Sequence, residues 1–230
     1  MLDIKTHRLH MYNLIQKIYQ SPLKSSLWFK WWTLCMFLYN LNRFSTDLDF
    51  DLLENKSSDI DVMSELRNLI LEYWKLKIKD EYEKQNTYFF LLSYWEHQKN
   101  IKLEINKNKI IYDTYTPVNL FWTNVLAMTK DAIFANKLLA LSNRYKNRDL
   151  FDVHFFFKEW FPINEKIIKA KANKTLKTFL LELKNQIPKN YSETTILAEI
   201  GDLISEKQKY FMKHQIVSEV IWYIDFYLAQ

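Results

Sequence analysis

Two aspartates one residue apart define the chemistry open to this sequence. In Arg43-Phe44-Ser45-Thr46-Asp47-Leu48-Asp49-Phe50-Asp51 apolar and polar residues alternate, which is the period of a half-buried strand. The alternation puts Ser45, Asp47 and Asp49 on one face and Phe44, Leu48 and Phe50 on the other. Asp47 and Asp49 then lie about 7 Å apart along the strand. Carboxylates so placed repel unless water or a cation screens them. An all-oxygen ligand set suits a hard divalent ion, Mg²⁺ above all. A solvated edge strand with its acids facing water carries the same pattern, and spacing does not separate the two.

Other blocks flank this run. Phe29-Lys30 and Thr33-Leu34 precede it. Well after it come Ala135-Asn136-Lys137-Leu138-Leu139-Ala140-Leu141, Arg144, and Arg148-Asp149-Leu150-Phe151-Asp152. Together they resemble the signature of the AbiEii/AbiGii-type nucleotidyltransferase toxins, relatives of the MenT toxins. That signature reads K-G-G-T-x-L, a short helix, R-F-S-x-D-[LI]-D-F, and then the second block in the same order. The resemblance covers roughly residues 25 to 160. It implies that Asp47 and Asp49 are catalytic and hold metal. Glu104 joins them, because Ile101-Lys102-Leu103-Glu104-Ile105 matches the family's K-h-[DE]-h pattern; Asp113 is the alternative third acid. It further implies that Ser45, Lys30, Thr33, Lys137 and Arg148 bind the nucleotide, with Lys137 on the triphosphate. Asp149 is expected to be catalytic, although Asp149 and Asp152 are also good residues for a helix start.

The sequence departs from the family at Trp31-Trp32, which stand in place of the two glycines. Those two positions belong to the expected nucleotide-binding loop, where glycine lets the backbone approach phosphates as no side chain permits. With two indoles there, the chain as written is expected to be impaired though folded. Glycine is scarce throughout: one residue, Gly201, against eight tryptophans, where average usage is about 7%. Trp74 and Trp160 also stand where a helix C-cap glycine is common. The pattern fits a gene in which UGA encodes glycine but has been read as tryptophan. Inactivation by mutation is the alternative.

Composition bounds the rest. The chain has 230 residues, 48% of them hydrophobic and 17% aromatic, which excludes a disordered protein. A net charge of +5 and a pI near 9.0 are compatible with a nucleic-acid partner. The single Cys35 excludes an intrachain disulfide and a cysteine metal cluster. The five histidines show no metal-ligand spacing, and neither a G-x-S-x-G nor a phosphate-binding glycine loop occurs. Neither a leader peptide nor a membrane span is expected, so a cytoplasmic location is.

Periodicity places these residues on elements. Helices are expected over 7–20, 33–39 and 62–78, strands over 27–30, 43–51, 87–95 and 101–106, a turn over 54–59, and a further strand near 110–115. From about 118 the pattern turns helical. Lys130, Lys137, Arg144 and Arg148 share one helical face, as either a functional or a solvated row. Lysines 166, 169, 171, 174, 177 and 184 alternate with apolar residues, as a nucleic-acid-facing helix or the wet side of a packing helix. Pro188 to Ser192 reads as a linker. The order predicts an α+β fold: a mixed sheet flanked by helices, palm-like over 1–120, then a helical domain over 121–230.

The resemblance implies Mg²⁺-dependent transfer of a nucleoside monophosphate from an NTP to an acceptor, expected to be RNA and specifically the 3′ end of tRNA. It also implies a toxin role with a cognate antitoxin. The alternative is a catalytically impaired nucleotidyltransferase fold kept for binding.

Overall fold

The computed structural model describes residues 3–53, 61–94, 100–108 and 112–229. The turn expected over 54–59, the end of the 87–95 strand and the first two residues of the strand near 110–115 lie outside them; of the remainder, residues 112–114 form no strand and only Tyr115 is in one. The chain divides into two compact units. One comprises Met1–Asn40, Phe44–Ile111 and Tyr115–Met128; the other comprises Leu41–Arg43, Tyr112–Thr114 and Thr129–Gln230.

The first unit is built on a mixed sheet. Its strands, among the described residues, are β1 (Leu27–Lys30), β2 (Asp47–Leu52), β3 (Lys77–Lys84), β4 (Thr87–Ser93), β5 (Ile101–Asn106), β6 (Tyr115–Leu120) and β7 (Thr123–Met128). Their order is β3-β4-β5-β2-β1-β7-β6. β2 runs antiparallel to β1 and parallel to β5, with Asp49 opposite Lys30 on one side and Glu104 on the other. Phe29 and Phe50 point away from the acids, with ring centroids 5.1 Å apart, and both are fully buried. Each such side chain contributes about 1.5–3 kcal/mol. The apolar alternation thus fixes which face of β2 carries the carboxylates.

Among the described residues the α-helices of this unit are α1 (Ile4–Gln20), α2 (Trp31–Leu38) and α3 (Val62–Glu72). The Asp3 carboxylate caps α1 by accepting from the Lys5 and Thr6 N–H groups, both at 3.1 Å, a device worth about 1 kcal/mol. Met11, Leu14, Ile15 and Ile18 form its buried stripe. α3 ends at Glu72, so the helix expected to reach 78 is shorter, and Lys77–Lys84 forms an edge strand instead. β2 likewise starts at Asp47 rather than 43. Residues expected to be helical from 118 form the end of β6 and all of β7, a hairpin with a two-residue turn at Phe121-Trp122.

The second unit is helical: α4 (Lys130–Arg144), α5 (Asn147–Lys158), α6 (Glu165–Ala172), α7 (Leu176–Asn190), α8 (Glu206–His214) and α9 (Ile216–Leu228). α4 packs on α5 and α6, and α9 on α5 and α7. Phe134, Leu138, Phe156, Ile168, Leu180 and Val220 are in its core. α7 continues through Pro188, where a linker was expected. No helix among the described residues is long and apolar enough to cross a membrane.

Candidate active site

Asp47, Asp49 and Asp51 project from one face of β2, as a strand's period of two requires. Asp47 and Asp49 are half-buried and Asp51 is buried. Asp51 is saturated: Lys30 Nζ and Asn106 Nδ2 donate to Oδ1, each at 2.6 Å, and the Tyr115 hydroxyl donates to Oδ2. Lys30, expected at the nucleotide, is therefore committed to Asp51. Asp51 is the residue that sequence reasoning passed over, although the alternation that selects Asp47 and Asp49 selects it too.

Asp49 is in the opposite condition. Burial first, and the neighbouring Asp47 carboxylate second, push its pKa up to about 7, against the pull of Lys30 and Lys102. Glu104, one strand over, adds to the rise but turns its carboxylate to Lys102 Nζ at 2.5 Å. The expected third acid is thus adjacent in register yet paired elsewhere. Among the described residues no three His, Cys, Asp or Glu side chains converge on one point. What β2 presents is a strained pair, Asp47 and Asp49, with more negative charge than its surroundings offset. A divalent cation fits that need.

The lead-in to β2 is pinned. The Thr33 hydroxyl, fully buried, hydrogen-bonds the Asp47 carbonyl and lies 2.9 Å from the Ser45 hydroxyl. This ties the start of α2 to the start of the acid-bearing strand. Between β1 and Thr33 stand the two indoles. Trp31 adopts φ +67°, a left-handed conformation that costs a non-glycine residue roughly 1–2 kcal/mol. Its ring lies 5.2 Å from that of Trp32, and Lys30 Nζ lies 5.4 Å from it. Trp160, just past α5, has φ +53°. There the Phe161 N–H reaches the Phe156 carbonyl at 3.0 Å, the helix-ending bond that normally accompanies a glycine. Gly201, by contrast, has no positive φ. The backbone asks for glycine at 31 and 160 and does not at 201, nor at Trp32 or Trp74, where glycine was also expected.

The second block of the sequence forms a separate cluster inside the helical unit. Lys137, Asp149 and Asp152 are each 0% exposed. Lys137 Nζ donates to Asp149 at 2.6 Å and lies 2.8 Å from Asp152. Arg43 grips Asp152 through two bonds of 2.6 and 2.7 Å. Arg144 Nε donates to Asp149 at 2.6 Å. Burial raises the Asp149 pKa, but Lys137 and Arg144 more than reverse this and hold it below the ordinary carboxylate range. Lys137, expected to offer its ammonium to a triphosphate, is instead sealed between two carboxylates, because a buried ammonium needs such partners. Asp149, expected to be catalytic, is one of them. Arg148 Nε is buried and has no hydrogen-bond partner among the described residues. Asp113, the alternative third acid, belongs to the helical unit, where Lys171 reaches it at 3.0 Å and Asn136 at 2.7 Å.

Comparison with known proteins agrees with this layout. Two crystal structures from Helicobacter pylori share the fold. JHP933 aligns with a TM-score of 0.62 at 19% identity, covering 99% of this chain and 96% of its own. A protein described as a candidate nucleotidyltransferase aligns with a TM-score of 0.62 at 18% identity, covering 99% and 98%. No curated protein matches. The sequence matches the family described as "Nucleotidyl transferase AbiEii toxin, Type IV TA system" over residues 14–229, both acid clusters included. The chain therefore belongs to the AbiEii nucleotidyltransferase toxin family.

Proposed function

We propose that this protein transfers a nucleoside monophosphate from an NTP to RNA, at the 3′ end of tRNA, in a Mg²⁺-dependent reaction. The observation that carries the reading is the Asp47–Asp49 pair on β2, held close with its charge only partly offset. Asp47 and Asp49 would hold the metal, with Glu104 available if it leaves Lys102. A bound ion would activate the attacking hydroxyl and neutralise charge on the departing pyrophosphate. In the transfer an acceptor oxygen bonds to the α-phosphorus and the bond to pyrophosphate breaks. Thr33 fixes the height of β2, and Ser45 beside it offers a hydroxyl to a phosphate. Arg148, with an unused donor, is the better candidate for a phosphate contact than Lys137, whose role is to position Asp149 and Asp152. The family's place in toxin–antitoxin systems implies a cognate antitoxin.

A second reading has its own observation. Trp31 and Trp32 open α2 at the positions where the family carries glycine, and Trp31 holds a glycine conformation. A chain with these indoles would be an impaired enzyme that retains the fold for binding. One experiment tests both: incubate the protein with Mg²⁺, each labelled NTP in turn and total RNA, beside the Trp31→Gly/Trp32→Gly variant. Label on RNA from either form, lost with Asp47→Ala, supports the transfer reading. Label on no RNA from either form ends it.

A further inference from the structure

We infer that the α6–α7 helix pair is an RNA-binding surface, with lysines for the phosphates and an amide-lined cavity for a base. This rests on the reading that the acceptor is RNA. Residues 163–190 hold seven lysines and two acids, a net +5. The remaining 25 basic residues are matched by 25 acidic ones. All of the chain's excess positive charge thus resides on this one pair of helices. Lys166 and Lys169 on α6, and Lys177 and Lys189 on α7, are exposed and have no ion-pair partner among the described residues. Four solvated ammonium groups on 24 consecutive residues suit a phosphate chain, whose binding is driven by release of its counterions.

A cavity of about 520 Å³ opens between α4, α6 and α7. Asn143, Asn185 and Gln186 line it, with Phe179 and Leu183 also on its wall and Lys174 at its edge. Each amide offers both a donor and an acceptor, as the edge of an unpaired base does. A membrane surface is the rival partner for a lysine-rich helix. It requires an exposed apolar stripe, and here that stripe, Leu176, Phe179, Leu180, Leu183 and Ile187, is buried.

The test is fluorescence anisotropy of fluorescein-labelled bulk tRNA titrated with the whole protein across a range of salt. The variant Lys166→Glu/Lys169→Glu/Lys177→Glu/Lys189→Glu is compared after its circular dichroism is shown to match the parent. Affinity should fall about tenfold or more near 0.1 M salt, and the slope of log affinity against log salt should flatten by about three. Asn185→Ala/Gln186→Ala should weaken binding without changing that slope. Unchanged affinity and slope in the lysine variant would overturn the proposal. So would wild-type binding to phosphatidylcholine–phosphatidylglycerol vesicles in preference to tRNA. If transfer to RNA is never seen while the lysines still govern tRNA binding, the transfer reading fails and this surface stands.

Discussion

Asp47 and Asp49 on β2 and Asp149 and Asp152 on α5 are both pairs of aspartates in the family's signature blocks, yet the fold treats them in opposite ways. On β2 acids outnumber their cations, and the Asp49 pKa rises to about 7. On α5 three cations, Arg43, Lys137 and Arg144, enclose two carboxylates, and the Asp149 pKa falls. A cluster short of positive charge is prepared for a ligand that brings some. A cluster already satisfied is part of the scaffold. Membership of a signature does not tell the two apart; the local count of charges does.

The sharpest way to break this contrast is to remove each cluster's centre. Asp47→Ala and Asp49→Ala should each lower nucleotidyl transfer by roughly 10²–10³-fold or more, measured as label incorporated into RNA, with the fold retained by circular dichroism. Full activity in either variant would show that the metal is held elsewhere. Lys137→Ala should do the reverse and act on stability. It leaves two buried carboxylates with one partner fewer, a loss of about 3–5 kcal/mol in urea unfolding. A variant that keeps its stability but binds NTP about 1.5–3 kcal/mol more weakly would restore Lys137 to the phosphate.

The glycine-demanding positions sharpen it further. Trp31→Gly/Trp32→Gly relieves left-handed strain and clears the loop ahead of Asp47. Stability should rise by roughly 1–2 kcal/mol as the strain is released, and nucleotide affinity with Mg²⁺ present should rise because the indoles no longer hold phosphates away from the backbone. Trp160→Gly, made against an equally left-handed backbone in the helical unit, should leave nucleotide affinity unchanged. Equal, strong binding by the parent and the double variant would mean that the indoles do not obstruct the site.

The smallest effect is a pH dependence. Asp49 holds its proton more tightly folded than unfolded, so the folded state loses stability as pH rises from about 3.8 to about 7 and the loss then levels off. Asp49→Asn removes a group that can ionise. Its melting temperature should exceed the parent's by a margin that grows across that window and is constant above it. Saturating Mg²⁺ should narrow the margin by stabilising the parent alone. A margin independent of pH would show that Asp49 is not under charge stress.

Most of the interior of the sheet was legible in the sequence; its two edges and the interior strand β7, which falls in the region expected to be helical, were not. β1 and β5 read true to the residue, and the acid face of β2 followed from alternation. Of β3, written Lys-Ile-Lys-Asp-Glu-Tyr-Glu-Lys, only Lys77 and Ile78 fall in the expected helix, and the rest carries no expected element. β6, which contains Pro117, begins at Tyr115, where the strand expected near 110–115 ends, and its last residues, 118–120, fall in the region expected to be helical. Both are edge strands, where charge and proline guard against unwanted pairing and thereby erase the apolar signal. At the site, Asp47, Asp49 and their register with Glu104 were legible because the strand period is local. The burial of Lys137 was not. Its heptad spacing reads as a solvated row, and the partner of Asp152 lies 109 residues upstream.

That separation bears on how the protein is made. Arg43 leaves the ribosome roughly 5–20 s before Asp152, at ordinary elongation rates of about 5–20 residues per second. β1 likewise waits for β7, since Phe29 pairs with Ala127. No amino-terminal fragment ending before Asp152 contains both the sheet and the partner that neutralises Arg43. A nascent chain that stops short of Asp152 therefore carries the β2 acids without the carboxylate that neutralises Arg43.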